Sequence, residues 1–96
     1  MTDATVQEIK NRLEDKDYVL LDVREDHERS EFNIGGVHVP LGQLMGSLDK
    51  LVPHKDEEIV VYCRSGKRSA MAQELLRQSG FSNVRNLEGG MIAWNQ

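Results

Sequence analysis

Short apolar runs and helical stripes alternate along this chain. Val6, Ile9 and Leu13 recur at helical spacing. Thr5 and Glu8 have the three-residue spacing of a capping box, which predicts a first helix at about 5–14. Tyr18-Val19-Leu20-Leu21 is a compact apolar run ending in Asp22-Val23-Arg24, which reads as a buried strand. The charged stretch Glu25 to Glu31 predicts a short solvated helix. Gly35-Gly36 marks a turn before a brief strand, Val37-His38-Val39, closed by Pro40. Leu41, Leu44 and Leu48 allow a short helix, weakened by Gly42 and Gly46, and Pro53 to Glu58 is a polar connection. Ile59-Val60-Val61-Tyr62 is the strongest strand signal, β-branched and uninterrupted. Ser69 to Ser79 is helical, with Ala72, Leu75, Leu76 and Ser79 near one face and Gly80 as its stop. Val84 to Leu87 is a last strand, Gly89-Gly90 a turn, and Met91 to Trp94 a terminal helical turn. Met91, Ile92 and Trp94 are expected to close the core from that turn.

Strands that alternate with helices predict an α/β fold, a small and mostly parallel sheet with helices on both faces. Ninety-six residues suit one domain, residues 1–96, with no repeat or linker. In such sheets ligands bind beyond the carboxyl ends of the strands. Cys63, Asp22 and Arg24 all fall at such ends.

Composition narrows the function. With 39% apolar and 29% charged residues, the chain has the balance of a soluble globular domain. A net charge of -4 gives no general attraction for nucleic acid or an anionic membrane, so neither is expected as a partner. No apolar run approaches the roughly 20 residues of a membrane helix. The first residues lack the basic stretch and apolar run of a secretory signal, and a cytoplasmic location is expected. A lone cysteine excludes an internal disulfide and a multi-cysteine zinc site. His27, His38 and His54 lie far apart and are assigned to loops or the surface, so no metal is expected. Nothing in the apolar pattern demands a dimer, and a monomer is expected.

The chemistry concentrates in Cys63-Arg64-Ser65-Gly66-Lys67-Arg68-Ser69, between a strand and a helix. A thiol at a helix N-terminus feels the positive end of the helix dipole. Arg64, Lys67 and Arg68 add three cations. Both effects favour the thiolate over a free thiol of pKa about 8.5. Gly66 allows the loop to curl so that backbone N–H groups form an anion-binding nest. Two plainer readings stand beside this one: a small core cysteine after a buried strand, and a simple phosphate-binding turn.

This loop resembles the active-site loop of the rhodanese family. Leu21-Asp22-Val23-Arg24-Glu25 resembles that family's early signature, Ile34 to Leu41 its turn-and-strand segment, and Leu87-Glu88-Gly89-Gly90-Met91-Ile92-Ala93-Trp94 its C-terminal signature. Many relatives carry Gly-His-Ile-Pro-Gly-Ala where this chain reads Glu31 to Gly36, with Phe32 in place of the histidine. The resemblance implies a sulfurtransferase in which Cys63 takes the outer sulfur of a donor and becomes a persulfide. It further implies that the backbone amides of Arg64, Ser65, Gly66, Lys67, Arg68 and Ser69 hold that persulfide, and that Arg64, Lys67 and Arg68 attract an anionic donor. The donor would be thiosulfate or a low-molecular-weight or protein persulfide, and the acceptor a thiol or cyanide. No cofactor is needed.

Asp22 is a candidate to brace the loop, by pairing with Arg68 or accepting backbone N–H groups; the other reading is a strand-end carboxylate that starts the next helix. Arg24 is assigned a structural role as a surface partner of Glu25 or Glu28, and Glu28 a solvated face. Three rival functions remain. Cysteine phosphatases or arsenate reductases of the same fold use one more residue between cysteine and arginine than the four between Cys63 and Arg68 here. A non-catalytic binding module would not need the cysteine. A sulfur carrier would partner an adenylating or biosynthetic enzyme.

Overall fold

The computed structural model describes residues 2–15 and 17–96. Its centre is a parallel sheet of β1 (Tyr18–Asp22), β2 (Val37–His38), β3 (Glu58–Tyr62) and β4 (Asn83–Asn86), in the order β2-β1-β3-β4. Ala4 bridges Leu87 and extends the sheet by a single pair. Side chains alternate across each strand, which divides the core in two. Leu21, Val23, Ile59, Val61, Cys63 and Val84 face one side, against Ala72 and Leu76 of α4 (Lys67–Gln78) and Leu51 of α3 (Leu48–Leu51). Val60, Tyr62 and Leu87 face the other, against Ile9 of α1 (Val6–Lys10) and Met91 and Trp94 of α5 (Gly90–Trp94). The expected α/β layering, with helices on both faces, is thus present.

Several boundaries differ from the sequence reading. Thr5 Oγ1 accepts the Glu8 amide at 3.1 Å, as the capping pattern predicts. The first helix nevertheless ends at Lys10 rather than near residue 14. Leu13 finds no core and is exposed, while the Arg12 guanidinium reaches Glu58 at 2.8 and 2.9 Å. The segment around Leu41, Leu44 and Leu48 forms two 3₁₀ turns, Leu41–Gln43 and Met45–Ser47, before α3. The fourth helix starts at Lys67, two residues early, because Gly66 supplies the turn that begins it. It ends as Gly80 predicts: the Phe81 amide donates to Leu76 O at 3.0 Å and Gly80 N to Arg77 O at 3.1 Å. Ile92 does not close the core; it is exposed, whereas Met91 and Trp94 are buried. His38 belongs to β2, its Nε2 lying 2.8 Å from Arg24 O.

The chain turns one way from β1 to reach β2, then crosses back to place β3 on the other side of β1. The crevice at such a reversal lies beyond the carboxyl ends of β1 and β3, where Asp22 and Cys63 stand. They occupy opposite faces. Asp22 pairs in register with Tyr62, the residue before Cys63, and so points to the Tyr62 side of the sheet. The pairing of Asp22 with Arg68 does not form. Asp22 instead accepts Arg24 Nε at 2.9 Å, Arg24 Nη2 at 3.0 Å, the Arg24 amide at 3.0 Å and Arg29 Nη1 at 3.2 Å. Arg24 is buried rather than on the surface, two residues on and on the same face; it also reaches Phe32 O at 2.7 Å. This cluster ties the end of β1 to α2 (Asp26–Glu31) and the residue after it, a helix that buries none of its own side chains.

Burial raises the Asp22 pKa, but Arg24 and Arg29 outweigh it and hold the carboxyl below its ordinary value. A carboxyl depressed in the folded state stabilises above its unfolded pKa of about 3.9, and that stabilisation is lost as pH falls through the lower folded value. Asp22→Asn leaves Arg24 uncompensated and is expected to cost about 3 kcal/mol near neutral pH. Urea denaturation of both proteins checks this: the gap should narrow as pH falls below the ordinary carboxylate range and the wild-type carboxylate is protonated too.

Candidate active site

Cys63 directly follows β3 and is fully buried. A buried sulfur can ionise only if donors replace the water it has lost. Three do so: the Gly66 amide at 3.1 Å, the Ser69 amide at 3.4 Å and the Ser69 hydroxyl at 3.4 Å from Sγ. Gly66 makes this possible with φ at 99°, a left-handed conformation that curls the loop and opens α4. Ser69 lies in the first turn of that helix, so Sγ also meets the positive end of its dipole.

The curl is fixed from outside by α5. Met91 N donates to Cys63 O at 2.9 Å, and Ile92 N to Arg64 O at 3.0 Å. With these carbonyls turned toward α5, the amides further along the loop turn toward the sulfur. The approach is close enough that a Cβ at Gly90 would overlap the Cys63 and Arg64 carbonyls, and Gly90 has a φ of 56°. Gly89, with a φ of 77°, is excluded from carrying a side chain for a different reason: a Cβ there would overlap Ala93 Cβ.

Burial pushes the Cys63 pKa up, but the Ser69 hydroxyl and the amides of Ser69, Gly66 and Ser65 outweigh it and bring the thiol below its ordinary value. The groups that meet Sγ directly are thus hydrogen-bond donors of the loop and not its cationic side chains. The Arg64, Ser65 and Lys67 side chains point outward and are exposed. Arg68 is half-buried but already partnered: it forms a two-pronged ion pair with Glu28 at 2.6 and 2.8 Å. Glu28 is therefore not on a solvated face. Its Oε1 also accepts the Glu25 amide at 3.0 Å, which completes the capping box of α2.

Two residues of the site were not foreseen as such. One is Glu28. The other is Asn86, at the end of β4, whose Nδ2 donates to Gly66 O at 3.1 Å and whose Oδ1 accepts the Ser69 hydroxyl at 2.5 Å. The hydroxyl has one proton, so it serves either Asn86 or the sulfur at a given moment. The sheet's period-two alternation held the signal for Asn86. Asn86 registers with Val61, two residues before Cys63, so both side chains lie on one face. Beside the loop, Arg24, Glu28, Glu31, Phe32, Arg64, Met91, Ile92 and Asn95 line a cleft of about 330 Å³. Among the described residues no three His, Cys, Asp or Glu side chains are grouped to hold a metal.

Ser69→Ala removes one of the donors that face Sγ and the partner of Asn86, so the midpoint of Cys63 alkylation by iodoacetamide is expected to move to higher pH. An unchanged midpoint would show that the backbone amides alone set the thiol's acidity.

Comparison with known proteins places this geometry. The family model of the rhodanese-like domain matches residues 5–96. The YtwF protein of Bacillus subtilis, provisionally named a sulfurtransferase, is 42% identical over 90% of this chain and 82% of its own length. A sulfurtransferase of Allochromatium vinosum is 36% identical over 92% of this chain and 82% of its own. The crystal structure of a rhodanese-like domain protein from Staphylococcus aureus superposes with a TM-score of 0.86 at 33% identity, covering 98% of this chain and 91% of that one. A cysteine at the end of the central strand, within a loop that turns its amides inward, sits in a chain matched along nearly its whole length: it belongs to the rhodanese-like family.

Proposed function

We propose that this chain moves sulfane sulfur from a donor to an acceptor through a persulfide on Cys63. The observation that carries this reading is the buried Sγ met by the amides of Gly66 and Ser69. Such a nest holds a sulfur anion without water and is ready before the reaction begins. The Cys63 thiolate attacks the outer sulfur of thiosulfate; the sulfur–sulfur bond breaks and sulfite leaves with the electron pair. The enzyme keeps one sulfur as Cys63–S–S⁻. With an organic hydrodisulfide as donor, the same attack releases a thiolate. The terminal sulfur then passes to cyanide, giving thiocyanate, or to a thiol, and the Cys63 thiolate is restored. This is double-displacement covalent catalysis. The amides of Gly66 and Ser69 hold the charge in both states, and the exposed Arg64 and Lys67 draw in the anionic donor.

The relatives named as sulfurtransferases support the same reaction class. A phosphatase fits less well. Four residues separate Cys63 from Arg68, and that arginine is held by Glu28 rather than free to clamp a phosphate.

Intact-protein mass spectrometry tests the reaction. Incubation with thiosulfate should add one sulfur, about 32 Da, and cyanide should remove it. Cys63→Ser should gain nothing while keeping its fold. An adduct that survives in Cys63→Ser, or one that cyanide leaves in place, would contradict the proposal.

A further inference from the structure

The loop carries three cations in sequence, yet the field at the site is not that of three cations. Arg68 stands next to Ser69, whose amide and hydroxyl face Cys63 Sγ, but both prongs of its guanidinium are taken by Glu28. That carboxylate is half-buried, with 18% of its side chain exposed. It is strongly held as an anion: the bond from Arg68 brings its pKa down to about 2 against the opposing effect of burial. The cleft beside the loop repeats the pattern. The charge of Arg24 is met by Asp22, and Glu31 faces the same space as Arg64. Phe32 and Ile92, both exposed, add apolar surface to its wall. An entrance of matched charges and apolar rim favours a donor with an organic body over a compact dianion, which loses most when a nearby cation is neutralised.

We infer that Glu28 is a donor-selectivity residue: by neutralising Arg68 beside Cys63 it disfavours the dianion thiosulfate relative to organic hydrodisulfides of low net charge. This rests on the reading of Cys63 as a persulfide carrier. The Glu28 carboxylate bonds to Arg68 and the Glu25 amide rather than to Cys63, so it acts on the site through its charge. Its removal therefore alters how the two donors compare and makes the difference depend on salt.

The test is the rate of sulfur loading on the full chain, followed by the added mass, with thiosulfate or cysteine hydrodisulfide as donor. Glu28→Gln keeps the size of the side chain and an oxygen for the Glu25 amide. It is expected to raise the thiosulfate rate about tenfold at low ionic strength. The cysteine hydrodisulfide rate should change less than about twofold, and the thiosulfate gain should shrink as salt is added. Glu28→Ser provides a second variant at a helix without buried side chains, and the same pattern is expected. Rates that fall together for both donors would make Glu28 a structural support for Arg68 and overturn the inference. An unchanged ratio of the two rates would overturn it too. If neither donor loads sulfur on the wild-type chain, the persulfide reading itself fails and the selectivity role falls with it.

Discussion

A sulfur anion away from water is stable only where hydrogen-bond donors replace the solvent, and the local architecture around Cys63 meets that condition. β3 delivers the sulfur to the sheet's carboxyl end, Gly66 turns the chain, and α4 presents its first amides. Neither the turn nor the helix would aim those amides without outside support. α5 takes the carbonyls of Cys63 and Arg64, and Asn86 takes the carbonyl of Gly66. The loop is thus held by its carbonyls from two neighbouring elements, which leaves its amides for the sulfur.

The charged residues around the loop do different work from that suggested by their order in the chain. Asp22 and Arg24, buried, form a cluster with the half-buried Arg29 on the opposite face of the sheet, and its product is the placement of α2. That helix carries Glu28 to Arg68. Two ion pairs, one structural and one at the rim of the site, therefore connect the end of β1 to the start of α4. A buried pair of this kind contributes more to a defined geometry than to net stability, and here the geometry decides how much of Arg68's charge an incoming donor meets.

Much of this was readable in the sequence. The strands Tyr18–Asp22 and Glu58–Tyr62 follow from apolar runs, and the helix stop at Gly80 from a local rule. The position of Cys63 at the carboxyl end of a strand follows from the βα order, whereas the place of that strand inside the sheet does not. What stayed hidden depends on facing across strands. Asp22 and Cys63 share an end of the sheet but not a side, and only the register of Asp22 with Tyr62 reveals this. Asn86 read as an ordinary strand residue until β4 was set beside β3, where it matches Val61. Glu28 sat in a run of charges with nothing local to mark it; its partner is forty positions away. The length of α1 was misread because helical spacing does not show whether Leu13 has a core to enter.

Loop amides, rather than cationic side chains, meet the sulfur of Cys63. A nuclear magnetic resonance titration of the ¹⁵N-labelled chain, following backbone amides as the thiol ionises, tests whether they hold its charge. The Gly66 and Ser69 amide protons are expected to move downfield together, with the midpoint of the Cys63 thiol, and Cys63→Ser is expected to abolish the movement. Amide signals of Gly66 and Ser69 that stay in place while the thiol titrates would contradict that role.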